Sequence, residues 1–167
     1  MATIAKRAIS VVKTIHGNSP WTQRFREAAS CTFKAGELVI LDGSGYVTVS
    51  GTDPASILGV AAEDAHNYSA TGVNNTISVW VADDETIFKG NVINGSAVTA
   101  LTQVGIDYGV TISGSTWHVD LAKVGTSSRV TVVDLSANYD GSEAIGDTNG
   151  TVHFLFKGWF RRLDHTS

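Results

Sequence analysis

The residues of this chain that could do chemistry follow a short apolar run, in the segment Ser56-Ile-Leu-Gly-Val-Ala-Ala-Glu-Asp-Ala-His-Asn67. Glu63, Asp64 and His66 are residue types that serve as acids, bases or metal ligands. A metal site needs several converging ligands, and a catalytic base needs a partner that orients it. In a continuing strand, Glu63 and Asp64 would point to opposite faces. We therefore interpret the three as solvated turn groups, with catalysis or metal binding as the alternative. In the apolar run before them, Gly59 indicates that another backbone or a ring approaches closely.

The other polar candidates form no recognisable catalytic or metal-binding motif. His118 and His153 lie on predicted strands, and no serine stands in a Gly-x-Ser-x-Gly elbow. Asp147-Thr-Asn-Gly150 faintly resembles a calcium loop, but the full EF-hand pattern is missing. The lone Cys31 cannot form an internal disulfide and is expected to be a packed thiol. We therefore expect no enzyme activity, no cofactor and no metal. The enzymatic alternative is a site in which His66, His118 and His153 converge with carboxylates.

The elements that must position these residues are short strands separated by glycines. The chain has 17 glycines and two prolines, and its alternation of apolar with polar residues is typical of strands joined by turns. Residues 36–50 are expected to form a hairpin. Further strands are predicted at 57–62, 76–81, 85–93, 108–112, 116–121, 128–135 and 151–156, with a short helix over 96–104. The predicted fold class is all-β: a small barrel or sandwich of about eight or nine short strands, one short helix and an extended N-terminal arm.

Charge is distributed unevenly along the chain. Residues 1–34 contain six Lys and Arg against Glu27 alone, a net charge of +5. Residues 35–156 contain 14 Asp and Glu against three basic residues, a net charge of −11. Charge asymmetry of this kind usually reflects what each part of a protein faces. A basic leader without a binding role is the alternative interpretation.

We expect three regions along the chain: an arm over 1–30, a β domain over 31–160 and a tail over 161–167. Residues 4–13 could form an amphipathic helix or pair as an added strand. The first thirty residues are too long for a plain loop and too apolar for a linker. An arm that orders against a partner explains such a segment most economically.

Composition also limits the classes of partner. Nucleic-acid binding requires a basic face with stacking aromatics, whereas the acidic residues of 35–156 would repel phosphates. No apolar run approaches the roughly 20 residues that a membrane span needs. The first 21 residues lack a convincing signal-peptide core and cleavage site. We therefore expect no nucleic-acid partner and no membrane association.

The order of several segments resembles that of tailed-phage capsid decoration proteins, also called cement or head auxiliary proteins. These segments are Phe33-x-Ala-Gly-Glu-Leu-Val39, Ile57-Leu-Gly-Val-Ala61, Thr86-Ile-Phe-Lys-Gly90, Val104-Gly-Ile-Asp-Tyr-Gly109, Trp117-His-Val-Asp120, Arg129-Val-Thr-Val-Val-Asp134 and Gly146-Asp-Thr-Asn-Gly-Thr-Val152. The likeness spans roughly residues 32–156 and consists of turns and core positions, so it carries over no catalytic residue. It implies a β-rich virion structural protein, a dimer or trimer, that binds the outside of the phage head and clamps neighbouring major capsid subunits.

The residues expected to contact the capsid combine positive charge with apolar anchors. They are Lys6, Arg7, Ile9, Val11, Lys13, Trp21, Arg24, Arg26, Trp159, Arg161 and Arg162. Trp159 has an alternative role in closing the bottom of the barrel. The expected location is the outer surface of the capsid, after synthesis in the host cytoplasm. The second hypothesis is a fibre or head-surface module that holds host glycans on aromatic side chains around Tyr68, Tyr139 and Trp159.

Overall fold

Strands make up most of the regular structure in the computed structural model, which describes residues 1–139 and 141–158. The strands are Ser10–Thr14 (β1), Thr22–Arg26 (β2), Leu38–Leu41 (β3), Val47–Val49 (β4), Gly59–Ala61 (β5), Thr76–Val81 (β6), Thr86–Ile93 (β7), Asp107–Ser113 (β8), Thr116–Asp120 (β9), Val130–Leu135 (β10) and Thr151–Phe156 (β11). The all-β class is confirmed. The described residues form eleven strands rather than eight or nine, because the first thirty residues contribute β1 and β2.

Five strands close into a barrel. β7, β11, β10, β8 and β9 pair in that order through antiparallel ladders. Val92 and Ile93 of β7 then pair in parallel with Val119 and Asp120 of β9, which completes the ring. β9 pairs only with the end of β7, which leaves the first half of β7 to pair with β1, with Ser10 opposite Lys89.

The remaining strands form a second sheet in the order β2-β6-β5-β3-β4. Its β3–β4 pair is the hairpin predicted over 36–50. A parallel bridge from Glu27 to Val47 brings the end of β2 beside β4. Gly59 of β5 lies so close to β6 that a Cβ atom there would be 2.0 Å from the carbonyl oxygen of Trp80. The expectation of a close backbone approach at this glycine is therefore confirmed.

Two apolar cores support the two sheets. The barrel encloses Trp117 and a group of three phenylalanines, in which the ring of Phe88 lies 5.0 Å from Phe156 and 6.2 Å from Phe154. The core of the second sheet contains Phe33, Leu58, Ile77, Val79 and the buried Cys31, among others. Burial raises the pKa of the Cys31 thiol, so the thiol stays protonated and packs as a small apolar group.

The first thirty residues lie against the two sheets. β1 is hydrogen-bonded to β7 and β2 to β6, and the main-chain nitrogen of Ile4 donates to the carbonyl of Thr148 at 2.9 Å. The added strand considered for residues 4–13 is thus present at 10–14. These residues do not form an arm that extends away from the body, because β1 and β2 are hydrogen-bonded to strands of the body.

The predicted helix over 96–104 is wrong. Only Leu101–Gln103 is helical there, as a single 3₁₀ turn. Asn94, Gly95 and Ala97 have positive φ angles, which break a right-handed helix before it begins. Within residues 1–139 and 141–158, no helix is both long enough and apolar enough to cross a membrane.

Candidate functional site

Glu63 and Asp64 each hold a different part of the backbone. Glu63 accepts a hydrogen bond from the main-chain nitrogen of Ser78 at 2.8 Å. Asp64 accepts from the main-chain nitrogen of Ala35 and from Nζ of Lys34, both at 2.9 Å. The backbone bond from Ser78 lowers the pKa of Glu63, and the one from Ala35 lowers that of Asp64. Through these hydrogen bonds, both carboxylates connect the turn after β5 to the segments that contain Ala35 and Ser78.

His66 pairs with a buried carboxylate that the sequence reasoning did not single out. Glu27 has no exposed surface, and its Oε2 lies 2.8 Å from Nδ1 of His66 while Oε1 accepts from the main-chain nitrogen of His66 at 2.9 Å. The His66 ring also stacks on Tyr68. The sequence feature that could have indicated Glu27 is that it is the only acidic residue among the first 34. The pair joins the end of β2 to the turn after β5.

The two barrel histidines occupy separate environments. His118 has no exposed surface, and burial, helped by the charge of Lys6, lowers its pKa. Nε2 of His153 lies 3.1 Å from Oγ of Ser136, and the His153 ring stacks on Tyr139. Burial also lowers the pKa of His153. Because His66, His118 and His153 contact different residues, the described structure does not bring them together into one site.

Ser136 and His153 have the spacing of a nucleophile and its base. Asp134 is close enough to His153 to affect its pKa. Its carboxylate, however, accepts hydrogen bonds from the main-chain nitrogen of Leu135, the amide of Asn138 and the hydroxyl of Tyr139. Among the described residues no carboxylate orients the imidazole as in a catalytic triad.

A cleft of about 340 Å³ opens beside this pair on the outer face of the barrel. Its lining includes Arg7 and Ser10 near β1, Lys89 of β7, Ser136 and Glu143. Since Phe88 and Val92 point into the core, the alternation of a strand directs Lys89 outward. The cleft therefore combines two cationic side chains with hydroxyl groups and one carboxylate.

The acidic loop before β11 uses its carboxylates internally. Asp147 accepts hydrogen bonds from the main-chain nitrogens of Ala2 at 2.6 Å and Ala144 at 2.8 Å. The bond from Ala144 is the main cause of the lowered pKa of Asp147. In residues 1–139 and 141–158, no group of three or more His, Cys, Asp or Glu side chains is placed to hold a metal ion.

The predicted capsid-binding residues differ in exposure. Those exposed in the structure are Lys6, Arg7, Lys13, Trp21, Arg24 and Arg26. Ile9 as an exposed anchor is wrong, because its side chain is 1% exposed and belongs to the barrel core. Val11 is partly buried against that core. Trp159, Arg161 and Arg162 lie outside the described residues.

The exposed basic residues form two groups. Lys6 lies close enough to His118 to lower its pKa, and Lys13 lies over the ring of Tyr139 at 4.9 Å, so both are on the barrel side. Arg24 and Arg26 are on β2 at the edge of the second sheet, and Trp21 precedes them.

In comparisons with known proteins, no protein-family model matches the chain and no curated protein matches it significantly.

Proposed function

We propose that this protein is a virion structural protein that binds the outer surface of a tailed-phage head and stabilises the capsid by bridging neighbouring major capsid subunits. The resemblance of segments between residues 32 and 156 to capsid decoration proteins supports the proposal. The structural observation that carries it is the exposure of Trp21, Arg24 and Arg26 along an edge strand of a protein with an acidic body.

β2 has the features of a binding strand. It pairs with β6 on one side, and an edge strand presents backbone groups that can pair with an added segment. Phe25 packs against the core of the second sheet, so Arg24 and Arg26 share the opposite face of the strand. Trp21, which directly precedes the strand, is 43% exposed. Arginine and tryptophan are the residue types that most often dominate binding energy at interfaces.

The capsid surface that receives β2 is expected to be acidic. Exposed ionic contacts are screened by salt, so binding should weaken as ionic strength rises. Many copies on a symmetric lattice, or a dimer or trimer of this chain, would add avidity to a weak single contact. The protein then acts from the outside of the virion after synthesis in the host cytoplasm.

Binding to purified, expanded heads that lack the protein tests the proposal. The variant Arg24→Gln/Arg26→Gln should bind at least about ten-fold more weakly, since it removes two charged contacts of about 0.7 kcal/mol or more each. The control Lys34→Gln/Lys123→Gln removes the same charge from residues that pair with Asp64 and Asp53. Equal binding of the two variants would refute a role for β2. Deletion of residues 2–26 is unsuitable, since it removes two strands and Ile9.

Glycan binding has weaker support in the structure. Tyr139 is 60% exposed, but its ring stacks on His153 and carries the Lys13 ammonium at 4.9 Å. Tyr68 stacks on His66, and Trp159 lies outside the described residues. A sugar would therefore compete with existing ring contacts at both tyrosines. Specific hits on a glycan array, without binding to heads, would favour this second hypothesis.

A further inference from the structure

The cleft on the outer face of the barrel has walls that are fixed before any ligand arrives. The main-chain nitrogen of Arg7 donates to Oδ1 of Asn91 at 2.7 Å, and Nδ2 of Asn91 donates to the carbonyl of Asn149 at 2.6 Å. On the other side, Glu143 accepts from the main-chain nitrogen and the hydroxyl of Thr151 at 2.7 and 2.8 Å. A site held in this way loses little conformational entropy on binding.

The two cationic groups of the cleft have no acidic partner among the described residues. In residues 1–139 and 141–158, no carboxylate oxygen lies within 4.0 Å of the side-chain nitrogens of Arg7 or Lys89. Lys89 is half-buried and lies between Ser10 of β1 and His153 of β11 in the sheet register. Among the described residues, the acidic side chains therefore leave both cations free to contact an anionic ligand in the cleft.

The balance of charge specifies the ligand class. Arg7 and Lys89 contribute two positive charges and Glu143 one negative charge, so a single negative charge neutralises the lining. A doubly charged phosphate would be repelled by Glu143 more strongly than a carboxylate would. The hydroxyl of Ser10 adds a hydrogen-bonding group at the rim. The volume of the cleft, about 340 Å³, is at the lower end of the range for small-molecule sites.

We propose that this cleft binds a carboxylate, carried by a small organic acid or by an acidic side chain of another protein, with Arg7 and Lys89 as the residues that neutralise it. Charge-assisted hydrogen bonds from both cations would hold the two oxygens. Ser136, which also lines the cleft, contacts His153 through its hydroxyl. The inference does not rest on the proposed capsid role, and the head-binding test leaves Arg7 and Lys89 unchanged.

Titration of the ¹⁵N-labelled protein with butyrate, which carries one negative charge, tests the inference. We expect saturable shifts of the Gly90, Asn91 and Thr151 amides, and neutral butyramide should produce none. Lys89→Gln should weaken binding about ten-fold, as should Arg7→Gln, in line with loss of a charge-assisted hydrogen bond. The control Lys34→Gln should bind as the wild type does, and thermal melting would verify that all variants are folded.

The peptide acetyl-Gly-Glu-Gly-amide separates the two sources of carboxylate. Binding of this peptide more tightly than butyrate supports an acidic side chain of a partner, and the reverse order supports a free organic acid. The inference is overturned if neither probe binds, if butyramide binds as well as butyrate, if phosphate binds more tightly than both, or if Lys89→Gln has no effect.

Discussion

Glu27 shows how a single buried polar residue can hold distant parts of this chain together. Its carboxylate has no exposed surface and both of its oxygens accept bonds from His66. The same residue bridges to Val47 through the backbone. Three segments therefore meet at one residue: the end of β2, the start of β4 and the turn after β5.

Removal of this carboxylate should destabilise the fold. Glu27→Ala removes a fully buried carboxylate and leaves the main-chain N–H of His66 without its acceptor, and we expect a loss of about 1–3 kcal/mol in the free energy of unfolding. Urea denaturation would measure it. Glu37→Ala, which removes a carboxylate that accepts one exposed hydrogen bond from Lys34, is the control. A difference between the two variants below about 0.5 kcal/mol would contradict the account.

His118 and His153 give stability a dependence on pH. Burial lowers the pKa of both histidines in the folded protein, and in the unfolded chain each returns to about 6.5. As the pH falls below that value, the unfolded chain takes up protons that the folded protein does not. The stability that the two neutral histidines contribute is therefore fully present above about pH 6.5 and is lost as the pH falls below that value.

Replacing His118 should reduce this dependence. Between about pH 6.5 and 5, His118→Phe is expected to lower the slope of unfolding free energy against pH by up to about 1.4 kcal/mol per pH unit, the contribution of one proton. Denaturation curves at several pH values would give the slope. The exposed His16 provides the control, His16→Phe. An unchanged slope in His118→Phe would show that the buried imidazole is not responsible.

At the level of strands, local patterns predicted most of the body and failed at its N-terminus. The predicted strand at 76–81 matches β6, and the strand at 151–156 matches β11. Each of these two strands is predicted by the alternation or the apolar run within its own residues. β1 and β2 gain stability by pairing with β7 and β6, fifty or more residues away in sequence. Such pairing leaves no local signal, and the apolar residues of β1 were therefore assigned to a partner.

The candidate sites show the same limit. The turn at Glu63 and Asp64 was predicted, because a strand that ends in polar residues meets solvent there. The pairing of His66 with Glu27 and the cleft between Arg7 and Lys89 were not, because each joins residues far apart in sequence. The pairing of β2 and β5 with β6 brings Glu27 to His66, and the pairing of β1 with β7 brings Arg7 near Lys89.

Ile9, which directly precedes β1, should contribute to stability. Its side chain lies over Gly90, where a Cβ atom would be 3.3 Å from Cγ1 of Ile9. Ile9→Ala is expected to cost about 2–5 kcal/mol in the free energy of unfolding, as in other large-to-small core changes. Ile15→Ala is the control, since Ile15 is 52% exposed and should cost far less. Equal losses in urea denaturation would mean that Ile9 is not part of the core.

The whole molecule is a closed barrel joined to a second sheet, with basic residues exposed on its N-terminal strands and acidic residues over its body. The strands fix these charges in position, because β1 and β2 are hydrogen-bonded to larger elements. A rigid body of this kind suits a protein that acts by holding other subunits together. Such a role requires that the protein be present in fixed proportion to the subunits that it holds.

The copy number of the protein on purified mature phage particles tests this role most directly. Quantitative mass spectrometry against the major capsid protein would measure it, and washing the particles at rising salt would test the ionic contribution. The proposal predicts a constant ratio set by the symmetry of the head lattice, with release of the protein at high salt. Absence of the protein from mature particles, or a ratio that varies between preparations, would contradict it.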